Sequence, residues 1–598
     1  MSSAGTEHVA RDPSAPGPLR TSESQAASAD FSVPHAHGRW AAVALNAAPA
    51  AIPAAVMLAL GLWGLARDSS VSNDEAATSI AARLSLSQLV HLLRHIDAVH
   101  GLYYLLMHGW VAIGSSPVVL RIPSVIAMSV AAALTGVLAA RLSRSAMAGV
   151  FSGLIMAFTP VISYYAQTAR SYAFVYACVV GATLALVAAV RAETARAAAP
   201  QSAAPTSAPT ARVAAWSVAA PARRAWLLYV ALIALGGYLN EMSLLALAAH
   251  AVTLLLGRYR LVVLKHWVLA GVAGAALVGP LGLISFVQHA DVSWIPPPNA
   301  TDMRILFNDY FAATPVAAAL LVACAIVAVL PGRVAGRAGR TGASGQEAAD
   351  QADAGAKPAR GWWWLQGGMS VPSVALPMLI VPALLLISES FIGGPLYVDR
   401  YVLYGESGAA LLAGAGLYRV GQWLRTSGGR RWLAWAPGAI VCVAVLLLQL
   451  GHQQSARMPR SRLYDFNAPA GYIGASARPG DGVLFFNTFF RKARLLYPRQ
   501  FRNTDDIGQA LSPMQAGTFR GTDKPFSTLR PLMLDRRRIW VVGVRPSVRL
   551  SDLLLRQQSL LLTRYFTLVS DRHFRGIEVT LWVRSGTAWP KARSSGGS

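Results

Sequence analysis

Cysteine and charged residues are both scarce in this sequence. Of its 598 residues, 3 are cysteine and 14% are charged, whereas 54% are hydrophobic. Cys178, Cys324 and Cys442 all fall inside apolar runs, which excludes a disulfide framework and a cysteine-based metal site. So low a share of charge also excludes an ordinary soluble protein, and lipid is the solvent that this composition indicates.

Acidic residues are the rarer kind of charge. There are 28 of them against 53 Lys and Arg, which gives a net charge of +25. In a soluble protein this surplus would point to nucleic acid. Here much of it lies beside apolar runs, where anionic headgroups and the positive-inside rule account for it. We therefore expect membrane lipid as a partner and no nucleic acid.

Long apolar runs recur along the first three quarters of the chain. Many are close to the roughly 20 residues that cross a bilayer, and they predict an α-helical polytopic membrane protein with about 11 transmembrane helices. The predicted spans lie near 41–66, 117–140, 146–163, 171–190, 225–241, 242–257, 266–287, 311–331, 371–391, 402–419 and 433–450.

The remaining segments before residue 451 are polar or of low complexity. Residues 1–40 are rich in Ser, Ala, Pro and charge, and they predict a disordered cytoplasmic tail. The transmembrane domain is expected to cover 41–451. Within it, the Ala-, Pro-, Gly- and Ser-rich segments 192–223 and 333–360 predict flexible cytoplasmic linkers.

The last segment, 455–598, has a different pattern. Short β-type runs at 482–486, 539–544 and 577–583 are separated by turn residues, and a helical pattern covers 550–562. This pattern predicts a small external α/β domain. Its many arginines are typical of a basic face resting on anionic lipid, with binding of an acidic substrate as the alternative.

The distribution of basic residues predicts the orientation of the chain. With a cytoplasmic N-terminus, every interior loop carries Arg or Lys, as the positive-inside rule requires. If the stretch from His100 to Gly114 crossed the membrane, every later loop would change sides and the basic loops would become external. About fifteen residues suit an interfacial helix better. We predict a multi-pass protein with an external C-terminal domain. The bias towards Ala and Arg suggests a GC-rich bacterium, and hence the plasma membrane.

Candidate chemistry begins in the first external segment. Asn73, Asp74 and Glu75 open it, and it continues to Asp97 and His100. Neighbouring carboxylates point in different directions on a helix or an extended chain, so we expect one of the first pair to face a substrate. The alternative is that Asp74 merely caps a helix that begins at Glu75.

Two further external clusters combine arginine with aromatic residues. The first contains Arg170, and the second contains Arg400 beside Asp399. Each arginine also has a plain interpretation, since Arg170 can snorkel at the end of a span and Arg400 can form a local ion pair with Asp399. If the topology is right, these clusters and Asp74 face the same side of the membrane.

Such a site suits sugar transfer from a lipid phosphate. An acceptor hydroxyl that attacks the sugar carbon must lose a proton, and Asp74 fits the general base. The leaving phosphate gains negative charge, which Arg170, Arg400 or His100 can receive.

The same residues carry a family resemblance. The stretch NDEAATSIAARLSLSQLVHLLRHIDAVHGLYYLLMHGWVAIGSSPVVLRIPSVIAM, followed by SYYAQTARSYAF, resembles the protein mannosyltransferase and aminoarabinose transferase group of the GT-C superfamily. The matching motifs are the Asp74-Glu75 pair, the segment from Gly114 through Leu120-Arg121-Ile122-Pro123-Ser124, Ala169-Arg170-Ser171-Tyr172, and Arg400-Tyr401. The resemblance is strongest over 73–175 and extends over about 41–450.

The resemblance implies a GT-C fold and an inverting transfer in which the loop aspartate is the base. It thereby implies catalytic residues at Asp74 and Glu75. The residues that it and the external clusters indicate for substrate binding are Asp97, His100, Tyr103, Tyr165, Gln167, Arg170, Tyr172, Glu241, Arg400 and Tyr401.

Two positions depart from the family pattern. Val99-His100-Gly101 stands where members often carry a His-Pro-Pro sequence, and Asn240-Glu241 stands where many have His or Tyr. No cofactor or metal site is predicted. A divalent cation at His100, Asp97 and Glu241 is the alternative, although their spacing is not that of a tight ligand set.

The leading hypothesis is transfer of a hexose, mannose by family habit, from a polyprenyl-phosphate donor to an external glycan, lipid or protein. A transporter or lipid flippase is one alternative, and it predicts ionisable residues at mid-membrane, where His250 is the main example. A non-catalytic protein of polysaccharide assembly in the cell envelope is the other.

Overall fold

The computed structural model describes residues 36–67, 70–198, 208–289, 294–331, 368–426, 430–543 and 553–586. The predicted linker 333–360 and most of the predicted tail 1–40 lie outside these residues. The chain divides into two compact units, and the first of them ends at Asn46 inside helix α1. Apart from the bounds of the first helix, Ala36–Leu62, all that follows concerns the second unit, 47–598.

The helical part of the chain runs to residue 456. Its helices are α1 Ala36–Leu62, α2 Asn73–Ala82, α3 Leu86–His95, α4 Gly101–Trp110, α5 Pro117–Ser143, α6 Ala146–Phe158, α7 Pro160–Ala166, α8 Tyr172–Ala198, α9 Ala208–Leu239, α10 Leu245–Leu256, α11 Leu261–Val287, α12 Ala300–Tyr310, α13 Pro315–Val329, α14 Val371–Ile392, α15 Glu406–Thr426 and α16 Ala436–Ala456. Helices α8 and α9 extend into the segment 192–223, which was predicted to be a flexible linker.

Six of these helices are long and apolar enough to cross a membrane, or eight segments if each bent pair is one span. The six are α5, α8, α11, α14, α16 and the part of α9 from Ala220 to Leu239. Every predicted span coincides with a helix or a bent pair, so the polytopic helical fold is confirmed. The count of about 11 is higher than these criteria give for the described residues.

Two pairs of helices, each of them a broken span or a re-entrant segment, meet at a bend just before a proline. Helices α6 and α7 meet at an angle of 71°, and α12 and α13 at 68°. Pro160 begins α7, and Thr159 before it is extended, with ψ at 119°. Proline disfavours the helical conformation in the preceding residue and cannot donate a backbone hydrogen bond, so the chain bends there. The first bend leads directly into the segment that carries Gln167 and Arg170.

Three short helices lie between α1 and α5. Ser85 caps α3 in a capping box with Gln88, as the spacing predicts. Ser72, and not Asp74, caps α2, which begins at Asn73, so the capping interpretation of Asp74 is wrong. Helix α4 has ten residues, which is too short to cross a bilayer.

Small residues allow close contact inside the bundle. A Cβ atom at Gly416 of α15 would overlap the backbone carbonyl of Cys324 on α13, and one at Gly414 would overlap Ser152 on α6. Association of helices in lipid depends on such close packing, because lipid tails are as apolar as the side chains. Helix α15 is thereby fixed between α6 and α13, and its first residue follows the segment that carries Arg400.

The C-terminal domain is a mixed five-stranded sheet with short helices. Its strands are β1 Asp481–Phe486, β2 Thr504–Asp506, β3 Arg538–Gly543, β4 Phe566–Phe574 and β5 Ile577–Arg584, in the order β2-β1-β3-β5-β4. Strand β1 is parallel to β2 and β3, and β5 is antiparallel to β3 and β4. The helices are α17 Asn467–Ser476, α18 Lys492–Leu496, α19 Pro513–Ala516, α20 Phe526–Asp535 and α21 Leu553–Tyr565. The predicted small α/β domain is therefore present.

Residues near the ends of α5, α8 and α11 and in α9 contact one another at one end of the bundle. Arg191 near the end of α8 donates to the Arg141 carbonyl at 2.8 Å. Glu193 accepts from Trp226 at 2.6 Å and contacts His266 at 2.7 Å. Helix α8 has 27 residues and is therefore about 40 Å long, so its first residue, Tyr172, lies at the other end.

Candidate active site

The candidate site forms around the first turn of α2. The capping box of Ser72 and Glu75 fixes the start of this helix and thereby the position of Asp74 between them. The Asp74 side chain is 29% exposed, whereas that of Glu75 is 1% exposed. The two neighbouring carboxylates therefore have different surroundings, as expected from their different directions on a helix.

Glu75 supports the site from behind. Its carboxylate accepts from Arg121 Nε at 2.8 Å, from the Ala169 backbone N–H at 3.1 Å and from the Ser72 N–H at 2.8 Å. Burial alone would raise the pKa of Glu75, but Arg462 and Arg121 lower it to about 2. Both carboxylate oxygens are engaged, so Glu75, which the resemblance implied to be catalytic, is placed to hold α2, α5 and the Arg170 segment together.

Arg400 is the cation beside Asp74. Its Nε lies 3.8 Å from Asp74 Oδ2 and donates to the Tyr172 hydroxyl at 2.8 Å. Its guanidinium also lies over the rings of Tyr401 and Trp294, 5.7 Å from each centroid. Among the described residues Arg400 forms an ion pair with Asp74. Within these same residues it does not form the alternative ion pair with the adjacent Asp399. Aromatic faces favour a cation at this position.

Asp97, Tyr104 and Arg170 form a second polar chain. The Tyr104 hydroxyl donates to Asp97 Oδ2 at 2.6 Å and accepts from Arg170 Nη1 at 2.7 Å. Arg170 Nη2 lies 4.0 Å from the same carboxylate oxygen. Asp97 has a left-handed backbone conformation with φ at 59°, which is uncommon outside glycine and marks the turn that brings α3 back to α4.

The charges of the site depend on one another. Burial alone would raise the pKa of Asp74, but Arg170 and Arg400 lower it below its usual value, so the carboxylate is ionised at neutral pH. Burial alone would lower the pKa of Arg170, but Tyr104 and the carboxylates of Asp74 and Asp97 raise it well above its usual value. An ionised carboxylate therefore interacts electrostatically with two arginines that stay charged.

His100 is neutral in this setting. Burial and the neighbouring Arg170 lower its pKa to about 3, so it can offer hydrogen bonds but no positive charge to a phosphate. Its Nδ1 and the Nε of Arg170 are buried and have no hydrogen-bond partner among the described residues. Buried polar atoms in proteins are usually paired, so two buried atoms without partners in one site call for an explanation, which binding of a ligand would supply.

The other predicted binding residues divide into two groups. Tyr165 packs edge-on against Tyr172 at 5.2 Å and thereby backs the Arg400 side of the site, and Tyr103 packs against Phe174 at 5.9 Å. Gln167 donates to the carbonyls of Gly61 and Trp63, both at 2.8 Å, and so ties its segment to the end of α1. Glu241 accepts a hydrogen bond from Ser285 of α11. Gln167 and Glu241 are thus placed in packing contacts and not beside Asp74.

The alternative cation site at Asp97, His100 and Glu241 is not assembled. Among the described residues, one group of His and carboxylate side chains has ligand atoms within 4.8 Å of one another, and it consists of Asp571, His573 and Glu578 on the β4–β5 hairpin.

The C-terminal domain supplies contacts that sequence reasoning missed. Lys492 Nζ donates to Asn73 Oδ1 at 2.7 Å, and Phe519 packs edge-on against Tyr104 at 6.4 Å. Arg575 donates to Ser70 Oγ at 2.8 Å. Lys492 lies in a run of basic residues, which gave no sign that it differs from its neighbours.

His250 was the residue that best supported a transporter. It is fully buried, and its ring nitrogens lie 2.9 Å from Thr183 Oγ1 and 2.9 Å from the Tyr229 hydroxyl. Both nitrogens therefore have partners, as expected of a histidine that links helices inside a membrane domain.

Together these features define a class: a polytopic helical membrane protein whose carboxylate and arginine site lies at one end of the bundle, in contact with a C-terminal α/β domain. No protein-family model and no curated protein matches the sequence. Solved structures do match. ArnT from Cupriavidus metallidurans bound to undecaprenyl phosphate is 12% identical, with a TM-score of 0.53 over 93% of this chain and 100% of that one.

The same protein in the apo state is similar to this chain to the same degree. It is 12% identical, with a TM-score of 0.53 over 91% of this chain and 98% of that one. The archaeal oligosaccharyltransferase AglB from Archaeoglobus fulgidus, in complex with an inhibitory peptide and a dolichol-phosphate, is 12% identical with a TM-score of 0.42 over 93% and 75%. The match to ArnT shows that this chain has the ArnT fold, so the polytopic helical fold with a small C-terminal α/β domain is confirmed.

Proposed function

We propose that this protein transfers a glycosyl residue from a polyprenyl-phosphate sugar to an acceptor, with inversion at the sugar carbon. The observation that carries the proposal is the partly exposed, ionised Asp74, which lies 3.8 Å from Arg400 and whose pKa is lowered by Arg170 and Arg400. The ArnT structure with undecaprenyl phosphate supports a lipid phosphate as the donor, because this chain has the same fold over nearly its full length.

Asp74 is the better base of the two exposed carboxylates. Asp97 accepts a short hydrogen bond from Tyr104 and is engaged with Arg170. The ion-pair partner of Asp74 lies 3.8 Å away, which is longer than a hydrogen bond. Asp74 therefore keeps lone pairs that can accept a proton from an acceptor hydroxyl.

The transfer is a single displacement. The acceptor oxygen forms a bond to the anomeric carbon, its proton goes to the Asp74 carboxylate, and the bond from that carbon to the phosphate oxygen breaks. The polyprenyl phosphate leaves with the bonding electrons. Because the pKa of Asp74 is low, proton transfer occurs late, when the attacking hydroxyl has become acidic by forming its new bond.

Arg170 and Arg400 receive the charge of the leaving phosphate. Arg170 is held by Tyr104, and Arg400 by Tyr172 and its ring contacts, so neither has to reorganise as charge develops. His100, which is neutral, adds an uncharged hydrogen-bonding group next to them. In this proposal the base and the phosphate-binding cations act on the same sugar carbon.

The proposed setting is the plasma membrane, with the N-terminus cytoplasmic and the C-terminal domain external. Two single-cysteine variants test it. Ser455→Cys at the end of α16 should react with an impermeant thiol reagent applied from outside, and Thr426→Cys at the end of α15 should react only after lysis. The opposite pattern would reverse the orientation.

The proposed sugar is mannose or another hexose, and the proposed acceptor is an external glycan, lipid or protein. The test is transfer of radiolabel from polyprenyl-phosphate mannose in membranes that contain the protein, followed by a panel of other polyprenyl-phosphate sugars. Label in an acceptor that depends on the protein supports the proposal and names the sugar. Failure with every donor, in membranes supplied with cell-envelope acceptors, would contradict it.

A further inference from the structure

Lys492 brings a cation from the C-terminal domain to the candidate site. It is the first residue of α18, and its ammonium donates to Asn73 Oδ1, in the residue that precedes Asp74. The residue is 5% exposed. The rings of Phe489 and Phe519 lie 4.9 and 5.7 Å from its Nζ and cover it from the side of its own domain.

The surroundings of Lys492 leave part of its bonding capacity unused. An ammonium has three N–H donors, and in the described part of the chain Lys492 makes one hydrogen bond, to Asn73. None of the described carboxylates forms an ion pair with it. Burying an ammonium costs free energy unless the charge is paired. One hydrogen bond to an amide oxygen does not offset that cost, so a purely structural role does not explain a lysine at this position.

Oppositely charged and like-charged groups surround Lys492. Arg520 comes from its own domain, Asp74 from α2, Asp97 from the turn before α4, and Arg170 from the turn before α8. Asp74 and Asp97 already interact with Arg400 and Arg170. The cations of this group therefore exceed the carboxylates, and an anion is the ligand that would balance it.

We propose that Lys492 is a donor-binding residue, whose ammonium binds the phosphate of the polyprenyl-phosphate donor together with Arg170 and Arg400. This inference rests on the proposed function. It makes the C-terminal domain part of the active site, since a residue of that domain contacts the substrate. As the bond to the sugar breaks, the phosphate becomes more negative, and the ammonium stabilises it without any proton transfer.

The titration of Lys492 separates phosphate binding from a purely structural contact. Burial and Arg520 lower the pKa of Lys492 to about 8, although Asp97 and Asp74 act in the opposite direction. The ammonium is therefore present below about pH 8 and is lost above it. Affinity for a phosphate lipid should fall above pH 8 in the wild type, whereas arginine at this position would stay charged.

The experiment measures binding of undecaprenyl phosphate to the full-length protein in nanodiscs at pH 7 and pH 9.5. Lys492→Met should weaken binding about tenfold or more at pH 7 and remove the difference between the two pH values. Lys492→Arg should bind as the wild type does at pH 7 and keep that affinity at pH 9.5. Lys524→Met is the matched control, since Lys524 of the same domain donates to the Ile507 carbonyl.

Each outcome decides something different. Equal binding by the wild type and Lys492→Met, with unchanged melting temperatures, would overturn the role of Lys492 and leave the proposed function standing. Weaker binding by both Lys492→Met and Lys492→Arg, with no change in pH dependence, would reduce Lys492 to a structural contact. No binding by the wild type would overturn this inference and the lipid-phosphate donor together.

Discussion

Two pairs of acid and arginine lie side by side at the start of α2. The side chains of Glu75 and Arg121 are 1% and 2% exposed and touch at 2.8 Å. Those of Asp74 and Arg400 are 29% and 21% exposed and lie 3.8 Å apart. We call Glu75–Arg121 the closed pair and Asp74–Arg400 the open pair. The difference in exposure suits the closed pair to a structural role and the open pair to contact with a substrate.

The closed pair is complete within the protein. Glu75 has backbone partners as well as Arg121, and Arg121 also donates to the Ser70 carbonyl at 2.8 Å. A buried ion pair is useful when its remaining hydrogen-bonding groups are satisfied, because desolvation otherwise outweighs the attraction. In the open pair, Arg400 donates to the Tyr172 hydroxyl, but within the described ranges no hydrogen bond is made to the Asp74 carboxylate, which leaves it available to a substrate. Substitutions can sharpen or break this contrast.

The largest effect is expected at Asp74. Asp74→Asn keeps the volume and removes the base, so glycosyl transfer should fall about a thousandfold while thermal stability stays as in the wild type. Transfer of labelled sugar in membranes measures the activity. Asp535→Asn, at an exposed position at the end of α20, is the control. Full activity in Asp74→Asn would remove the distinction between the two pairs.

Glu75 should show the reverse pattern. Glu75→Gln leaves Arg121 charged and buried without its carboxylate, which should cost about 3 to 5 kcal/mol of folding stability. The thermal unfolding temperature in detergent measures this loss, and Glu389→Gln at an exposed position on α14 is the control. If stability is unchanged and only transfer is lost, Glu75 belongs with Asp74 as the resemblance implied.

Arg170 lies on the open side and should affect the donor. Arg170→Ala should weaken binding of the polyprenyl-phosphate donor about 10- to 100-fold, since a charge-assisted contact with the phosphate is lost. The KM for the donor should rise while the KM for the acceptor changes little. Arg94→Ala, at an exposed position on α3, is the control. Equal increases in both KM values would count against a phosphate role.

The smallest effect is expected at Tyr104. Its hydroxyl accepts from Arg170 and donates to Asp97, so Tyr104→Phe removes a contact that positions Arg170 but leaves the guanidinium in place. We therefore expect the donor KM to rise about fivefold, less than for loss of Arg170 itself. Tyr418→Phe at the opposite end of the bundle is the control. An effect as large as that of Arg170→Ala would mean that the hydroxyl itself binds the donor.

The helical fold was predictable because spans in lipid carry a strong signal of length and apolarity. Helices or bent pairs occur at every predicted span, and the strands at 482–486 and 577–583 follow the predicted β-type runs. The two bends were not predicted, because proline also occurs inside uninterrupted helices such as α14, which contains Pro377 and Pro382.

The site was predictable in part. Asp74, Arg170 and Arg400 were predicted from motifs near the ends of spans. The alternation of the predicted spans across the membrane then places all three on the same side. The sequence did not predict that Asp74 is partly exposed and Glu75 buried. That difference arises because Arg121 and the Ala169 backbone N–H both donate to the Glu75 carboxylate. Lys492 gave no local signal, because its importance comes from a contact with Asn73 across 419 residues.

That long separation has a consequence for how the protein is made. A ribosome releases Asn73 and Asp74 early, but Lys492 emerges only after all the helices of the bundle have been synthesised. A nascent or truncated chain therefore carries Asp74 without Lys492. Under the proposed role of Lys492, complete donor binding requires that the C-terminal domain has been synthesised and has folded against α2.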